Sequence, residues 1–207
     1  MTGKRMHSMR GPATSLTMLP MDLVRPAPPY LTSYSEALSK GWSPDNTRDV
    51  SGDELRLIAQ DPARFLDSLT DPEAKGPPIT LPDGSQARRL PGFRLWMWDG
   101  DFCGSIGLRW QPGTSELPPY CLGHIGYAVV PWKAGRGYAT RALGLLLPMA
   151  RERGLDHVDL TTDPDNIPSQ RVILANGGVL QGQFRKPAHY GNADGLLYRV
   201  DLRTTAR

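Results

Sequence analysis

The chain has 207 residues, enough for one domain with a sizeable core, and carries 24 basic and 21 acidic side chains for a net charge of +3. That excess sits in residues 1–17, which hold Lys4, Arg5 and Arg10 and no acid, so the body is balanced and a basic face for nucleic acid is not expected. No apolar run approaches the ~18 residues of a membrane span, the N-terminus lacks the apolar core of a signal peptide, and Cys103 and Cys121 form no metal or redox spacing, which together suit a reducing cytoplasm.

Residues 1–17 have no period and read as a disordered tail; residues 18–205 read as one domain. Residues 18–24 suit a first strand, ended by Arg25-Pro26-Ala27-Pro28-Pro29. Leu31, Tyr34 and Leu38 then lie at helical spacing, and Gly41 stops that helix. Ser51-x-x-Glu54 reads as a capping box opening a second helix, with Leu55 and Ile58 on one face. Asp61-Pro62 restarts the helix as far as Leu69, with Phe65, Leu66 and Leu69 inward. Residues 75–92 are rich in proline and glycine and read as a long loop.

From Phe93 the period changes to two. Phe93, Leu95 and Met97 alternate with Arg94, Trp96 and Trp98; Asp99-Gly100 turns the chain; Phe102, Gly104, Ile106, Leu108 and Trp110 continue the pattern. The Asp-Gly pair suits a tight hairpin turn. Residues 111–123 lead to a third strand over 124–130, closed by Pro131. Then comes Gly135-Arg136-Gly137-Tyr138-Ala139-Thr140, followed by a helix with Ala139, Ala142, Leu143, Leu146, Leu147 and Ala150 on one face.

Strand, glycine loop and helix in that order make an anion cradle. Gly135 and Gly137 allow positive φ and close approach of the main chain. The free N–H groups of the helix's first turn and the helix dipole favour negative charge there, and Arg136 adds a cation. A phosphate-binding loop of the Gly-Lys-Ser/Thr kind does not fit Gly137-Tyr138-Ala139, and Thr140 stands where a dinucleotide fingerprint needs its third glycine.

Pro148 falls inside the helix, where proline costs about 3 kcal/mol, partly by clashing with the carbonyl four residues back; that residue is Gly144, so a kink and not a break is expected. Gly154 ends the helix. Val158, Leu160 and Thr162 mark a strand, expected to run parallel with its predecessor across the helical crossover. Asn166 is the N-cap of a further helix closed by Gly177-Gly178. Residues 179–184 and 195–202 form a last antiparallel pair, with Leu196, Tyr198, Val200 and Leu202 on one face.

The run Ala134-Gly135-Arg136-Gly137-Tyr138-Ala139 resembles the Arg/Gln-x-x-Gly-x-Gly/Ala signature of the GNAT superfamily of N-acetyltransferases. The first position departs from it, being Ala134, and Lys133 next door is the substitute charge. The element order from Phe93 onward is also similar to the GNAT fold, an α+β architecture with a mixed, mostly antiparallel sheet flanked by helices. His124-Ile125-Gly126-Tyr127 and Asn176-Gly177-Gly178 look like a subgroup of mostly uncharacterised bacterial members.

The resemblance implies acetyl-CoA as co-substrate and no metal. The loop residues Lys133, Gly135, Arg136, Gly137, Tyr138, Ala139 and Thr140 then hold the pyrophosphate. Val129-Val130-Pro131 looks like the family strand whose bulge offers backbone groups to pantetheine, and Asn166 and Ser169 match an Asn-x-x-Ser/Ala pattern near the thioester. Residues 93–203 become the sheet and cofactor core. Residues 18–92 become the acceptor side.

The implied reaction is attack of a neutral amine on the thioester, through an oxyanion, with a proton acceptor for the amine and a donor for the thiolate. The family's acceptor position falls on His124. Its usual tyrosine donor falls on Ile173, which has no proton to give, so Tyr190 and Ser169 are the substitutes. The acceptor is a small-molecule or peptide amine, and a homodimer is compatible with the resemblance. A non-catalytic acyl-CoA-binding or sensor protein is the competing reading.

Overall fold

The computed structural model describes residues 20–81 and 83–203; the tail expected over 1–17 lies outside them. The strands are β1 (Asp22–Val24), β2 (Thr70–Asp71), β3 (Ile79–Thr80), β4 (Gln86–Ala87), β5 (Gly92–Trp98), β6 (Phe102–Arg109), β7 (Ile125–Val129), β8 (His157–Thr162), β9 (Val179–Arg185) and β10 (Asp194–Asp201). The helices are α1 (Pro28–Ser39), α2 (Ser51–Gln60), α3 (Pro62–Ser68), α4 (Tyr138–Glu152) and α5 (Ile167–Ala175). One sheet has the order β1-β5-β6-β7, with β2 also on β5; a second has the order β8-β10-β9; β3 and β4 form a small hairpin inside the expected 75–92 loop. Every ladder is antiparallel.

Both faces of the first sheet are covered, and the period-two pattern divides the residues between them. Leu95, Met97, Ile106, Leu108 and Ile125 pack with Ala142, Leu143 and Leu146 of α4, and this core continues into Val158, Leu160, Tyr198 and Val200 of the second sheet. Trp96, Phe102 and Val130 pack with Tyr34, Leu38, Trp42 and Phe65 of the N-terminal helices and the turn after α1. Trp96 is fully buried and stacks on Tyr34 with ring centroids 4.4 Å apart. Such a pair adds about 1 kcal/mol beyond the area it buries.

Several local signals resolve differently from expectation. Pro28 and Pro29 open α1 instead of merely ending the preceding strand, as proline at the first helical positions does. Ser51 does not cap α2: Val50 is the N-cap and the Ser51 N–H is held by Asp49 Oδ1 at 2.8 Å. Glu54 turns inward instead of back to the cap, to the Tyr34 hydroxyl and to Arg94 at 2.9 Å. A buried carboxylate needs those partners more than a helix end needs one more acceptor. Asp61 does cap α3, accepting from the Arg64 N–H at 3.0 Å. Helix α4 continues through Pro148 to Glu152.

The expected strand forms as β8, but it makes no ladder with β7 among the described residues. The His124 N–H donates to the Asp159 carbonyl at 2.8 Å, and no ladder follows. Strand β8 pairs with β10. The two sheets therefore meet at the start of β7 and part beyond it, leaving a gap that opens towards the glycine loop.

Candidate active site

The loop after β7 begins with a short turn, Pro131–Lys133, and reaches α4 through two left-handed glycines, Gly135 at φ 76° and Gly137 at φ 78°. Gly137 is the N-cap of α4 and has no side chain to cap it. Its carbonyl accepts the first helical bond, from Arg141 N–H at 3.0 Å. The N–H groups of residues 135–140 have no acceptor among the described residues. A Cβ at Gly135 would meet nothing within 4 Å, so the loop is open on its outer side. Unpaired amides at the positive end of a fifteen-residue helix form a seat for an anion. Arg136 is exposed beside it.

Lys133 does not supply the missing charge. Its ammonium is buried against Asp99 at 2.7 Å, with Asp101 at 3.7 Å. The Tyr138 hydroxyl donates to the other oxygen of Asp99. Burial alone pushes the Asp99 carboxyl up, but the bonds from Lys133 and Tyr138 outweigh it and hold the group at about 2. Asp99, read from sequence only as a hairpin-turn residue, thus ties the β5–β6 turn to both ends of the glycine loop. Tyr138 faces this anchor with its side chain and leaves its main-chain N–H to the cradle.

Strand β7 lines the gap with main chain. Arg109 N–H donates to the His124 carbonyl at 2.9 Å and Val130 N–H to the Cys103 carbonyl at 3.0 Å. The register runs without a shift from Leu108↔Ile125 to Gly104↔Val129. Alternate residues of an antiparallel strand bond to opposite sides, so Tyr127 and Val129 turn their polar groups away from β6. The expected bulge at Val129-Val130-Pro131 is absent. Val129 presents its groups to the gap on a regular strand, whereas Val130 is fully buried with its N–H used and its carbonyl accepting from Lys133 N–H.

Across the gap, the Tyr127 hydroxyl lies 2.8 Å from Ser169 Oγ on the first turn of α5. Asn166 caps that helix, its Oδ1 accepting from the Ser169 N–H at 3.1 Å. Ser169 is therefore positioned from two sides, by the cap and by Tyr127. Burial pushes the Tyr127 phenol up, so it stays protonated. Tyr127 was missed in the sequence because it falls on the apolar face of its strand. Ile173 is core, with its side chain under Gly178.

His124 does not fit the role of base. It is fully buried, and its Nδ1 accepts the Asp159 N–H at 2.9 Å. The remaining proton therefore sits on Nε2, which has no partner among the described residues. Burial lowers its pKa from 6.5 to about 4, despite the opposing charge of Asp159. This is a neutral structural imidazole that closes the narrow end of the gap. Tyr190, expected as a fallback donor, gives its hydroxyl to the Tyr120 carbonyl at 3.2 Å and is not brought to Ser169.

Residues 54–179 match the family model described as an acetyltransferase (GNAT) domain. The chain belongs to the GNAT acetyltransferase family. Solved structures of similar fold include the microcin C7 self-immunity acetyltransferase MccE in complex with acetyl-CoA and AMP, at 14% identity and TM-score 0.57, covering 87% of this chain and 92% of that one. Mycobacterium smegmatis RimJ in complex with CoA-disulfide is similar at 18% identity and TM-score 0.57, covering 87% and 81%. A putative ribosomal-protein-serine acetyltransferase from Vibrio cholerae is similar at 13% identity and TM-score 0.55, covering 87% and 93%. No curated protein matches the chain. In this GNAT chain the glycine loop, the start of α4 and the gap beside β7 occur together.

Proposed function

We propose that the chain transfers the acetyl group of acetyl-CoA to a primary amine by direct attack. The observation that carries this is the row of unpartnered amides over residues 135–140, at the N-terminus of α4 and the open end of the gap. That set fits a diphosphate by charge and by hydrogen-bond donors. Arg136 adds a positive charge at its rim, Val129 offers main-chain groups to an extended chain in the gap, and the thioester then reaches Tyr127 and Ser169.

Acetyl-CoA, when bound, supplies the activated acyl group. The amine nitrogen forms a bond to the acyl carbon and loses its proton to water, because His124 is not available to take it. The carbon–sulfur bond breaks as one proton shifts in concert from the Tyr127 hydroxyl to Ser169 Oγ and from Ser169 Oγ to the sulfur, and water returns to Tyr127 the proton released by the amine, so both hydroxyls end protonated and free thiol leaves. General-acid help of this kind is worth about a hundredfold to ten-thousandfold.

Release of free thiol from acetyl-CoA in the presence of a panel of primary amines tests the reading. Amine-dependent release with a mass gain of one acetyl group on the amine supports it. Coenzyme A binding with no transfer to any amine would instead favour a non-catalytic sensor.

A further inference from the structure

On the face of β6 and β7 turned away from α4, Gly107 and Gly126 stand directly opposite one another. Neither has positive φ. A Cβ at Gly107 would meet only the Phe93 carbonyl oxygen, at 3.3 Å, and one at Gly126 only an Arg109 guanidinium nitrogen, at 3.3 Å. At Gly126 only the end of a flexible side chain is near, so the backbone does not require glycine there, whereas at Gly107 a Cβ would be tight against a main-chain oxygen of β5. Glycine inside a strand weakens it, and in a ladder with no bulge it is compatible with close approach of a ligand or of another main chain. The pair leaves a bare patch of main chain beside the gap.

Arg109 leaves the end of β6 on this same face and lies across Gly126. It is exposed. Arg94 and Arg199 are paired with Glu54 and Asp159, whereas the Arg109 side chain makes no ion pair or hydrogen bond among the described residues. The patch has walls. The α1–α2 segment is fixed at the edge of β7 by Asn46, whose Nδ2 donates to the Tyr127 carbonyl at 3.0 Å. Tyr190 and Tyr120 are joined by the hydrogen bond between the Tyr190 hydroxyl and the Tyr120 carbonyl. The charges of Arg109 and Asp45 both act on Tyr190, with opposite signs. Asp45 makes its hydrogen bonds to Thr47, and Arg109 forms no ion pair with it.

We propose that the Gly107–Gly126 patch seats the acceptor and that Arg109 holds an anionic group there, so the acceptor is an amine that also carries a carboxylate or a phosphate. This rests on the acyl-transfer reading above. A guanidinium grips either anion through paired N–H donors, and the bare main chain lets the acceptor lie flat beside β7.

Calorimetry on the full chain separates the two readings. Coenzyme A is titrated first; its failure to bind overturns the acyl-transfer reading and this one with it. The chain saturated with coenzyme A is then titrated with ethanolamine, β-alanine and phosphoethanolamine. At least one anionic amine binds tenfold or more tighter than ethanolamine, β-alanine leading for a carboxylate acceptor and phosphoethanolamine for a phosphate one. Arg109→Gln removes that preference and keeps coenzyme A affinity; Gly107→Val weakens all three amines. Binding of the three amines within twofold of one another, no binding of any, or a preference that survives Arg109→Gln overturns the proposal.

Discussion

The hydroxyls of Tyr127 and Ser169 stand 2.8 Å apart, one on the strand that lines the gap and one on the first turn of α5. This contact bridges the two parts of the fold at the place where the leaving sulfur is expected. Tyr127→Phe removes the resupplying proton and keeps the ring in the core. Its kcat falls about tenfold to a hundredfold, with coenzyme A affinity nearly unchanged. Ser169→Ala falls further, because it removes the group that contacts the sulfur. Steady-state kinetics with separate coenzyme A titrations checks both, and equal loss of kcat and affinity in Tyr127→Phe counts against the relay.

His124 makes a prediction about stability instead of rate. Its pKa in the fold is about 4 against an ordinary 6.5, so the folded chain binds fewer protons than the unfolded chain between those values. The stabilising contribution is complete above about pH 6.5 and is lost as the pH falls towards 4, by about 3 kcal/mol at pH 4. His124→Asn keeps an oxygen for the Asp159 N–H and has no ring to charge, so its stability profile is flatter over that range. Urea unfolding from pH 7 to 4 measures the difference. Parallel profiles for the two proteins exclude His124 as the titrating group.

Asp99 is the counter-charge of a buried lysine. Side-chain exposure is 6% for Asp99 and 11% for Lys133, so removing the charge leaves an ammonium inside the protein. Asp99→Asn costs about 3 kcal/mol. Tyr138→Phe costs about 1 kcal/mol, since it deletes one hydrogen bond and no charge. Both loosen the entry to α4, and coenzyme A affinity falls in the same order. Unfolding curves and calorimetry on the two variants test the ranking, and a larger loss in Tyr138→Phe than in Asp99→Asn contradicts it.

The strands β5 to β7, the glycine loop and α4 were legible because their signals are local. Period-two alternation, Asp99-Gly100, two closely spaced glycines and a helical apolar face each act within a few residues. The misreadings share a different cause. His124 stands at the position expected for a base, but Asp159 comes in from the second sheet to take its lone pair. Ser51-x-x-Glu54 has the spacing of a cap, yet Tyr34 and Arg94 compete for the same carboxylate and win it by burial. Lys133 stands next to the glycine loop in sequence and spends its charge on a turn that lies 34 residues earlier. Tyr127 belongs to the site although its pattern marks it as core, because only α5 reveals what its hydroxyl reaches.

The amides of residues 135–140 are proposed to receive the diphosphate of coenzyme A. Backbone amide NMR on the full chain during a coenzyme A titration reads it directly. The largest shifts are expected at Gly135 to Thr140, moving to lower field as each N–H gains a charged acceptor, with smaller changes at Val129. Binding that moves other amides and leaves residues 135–140 in place would contradict the account.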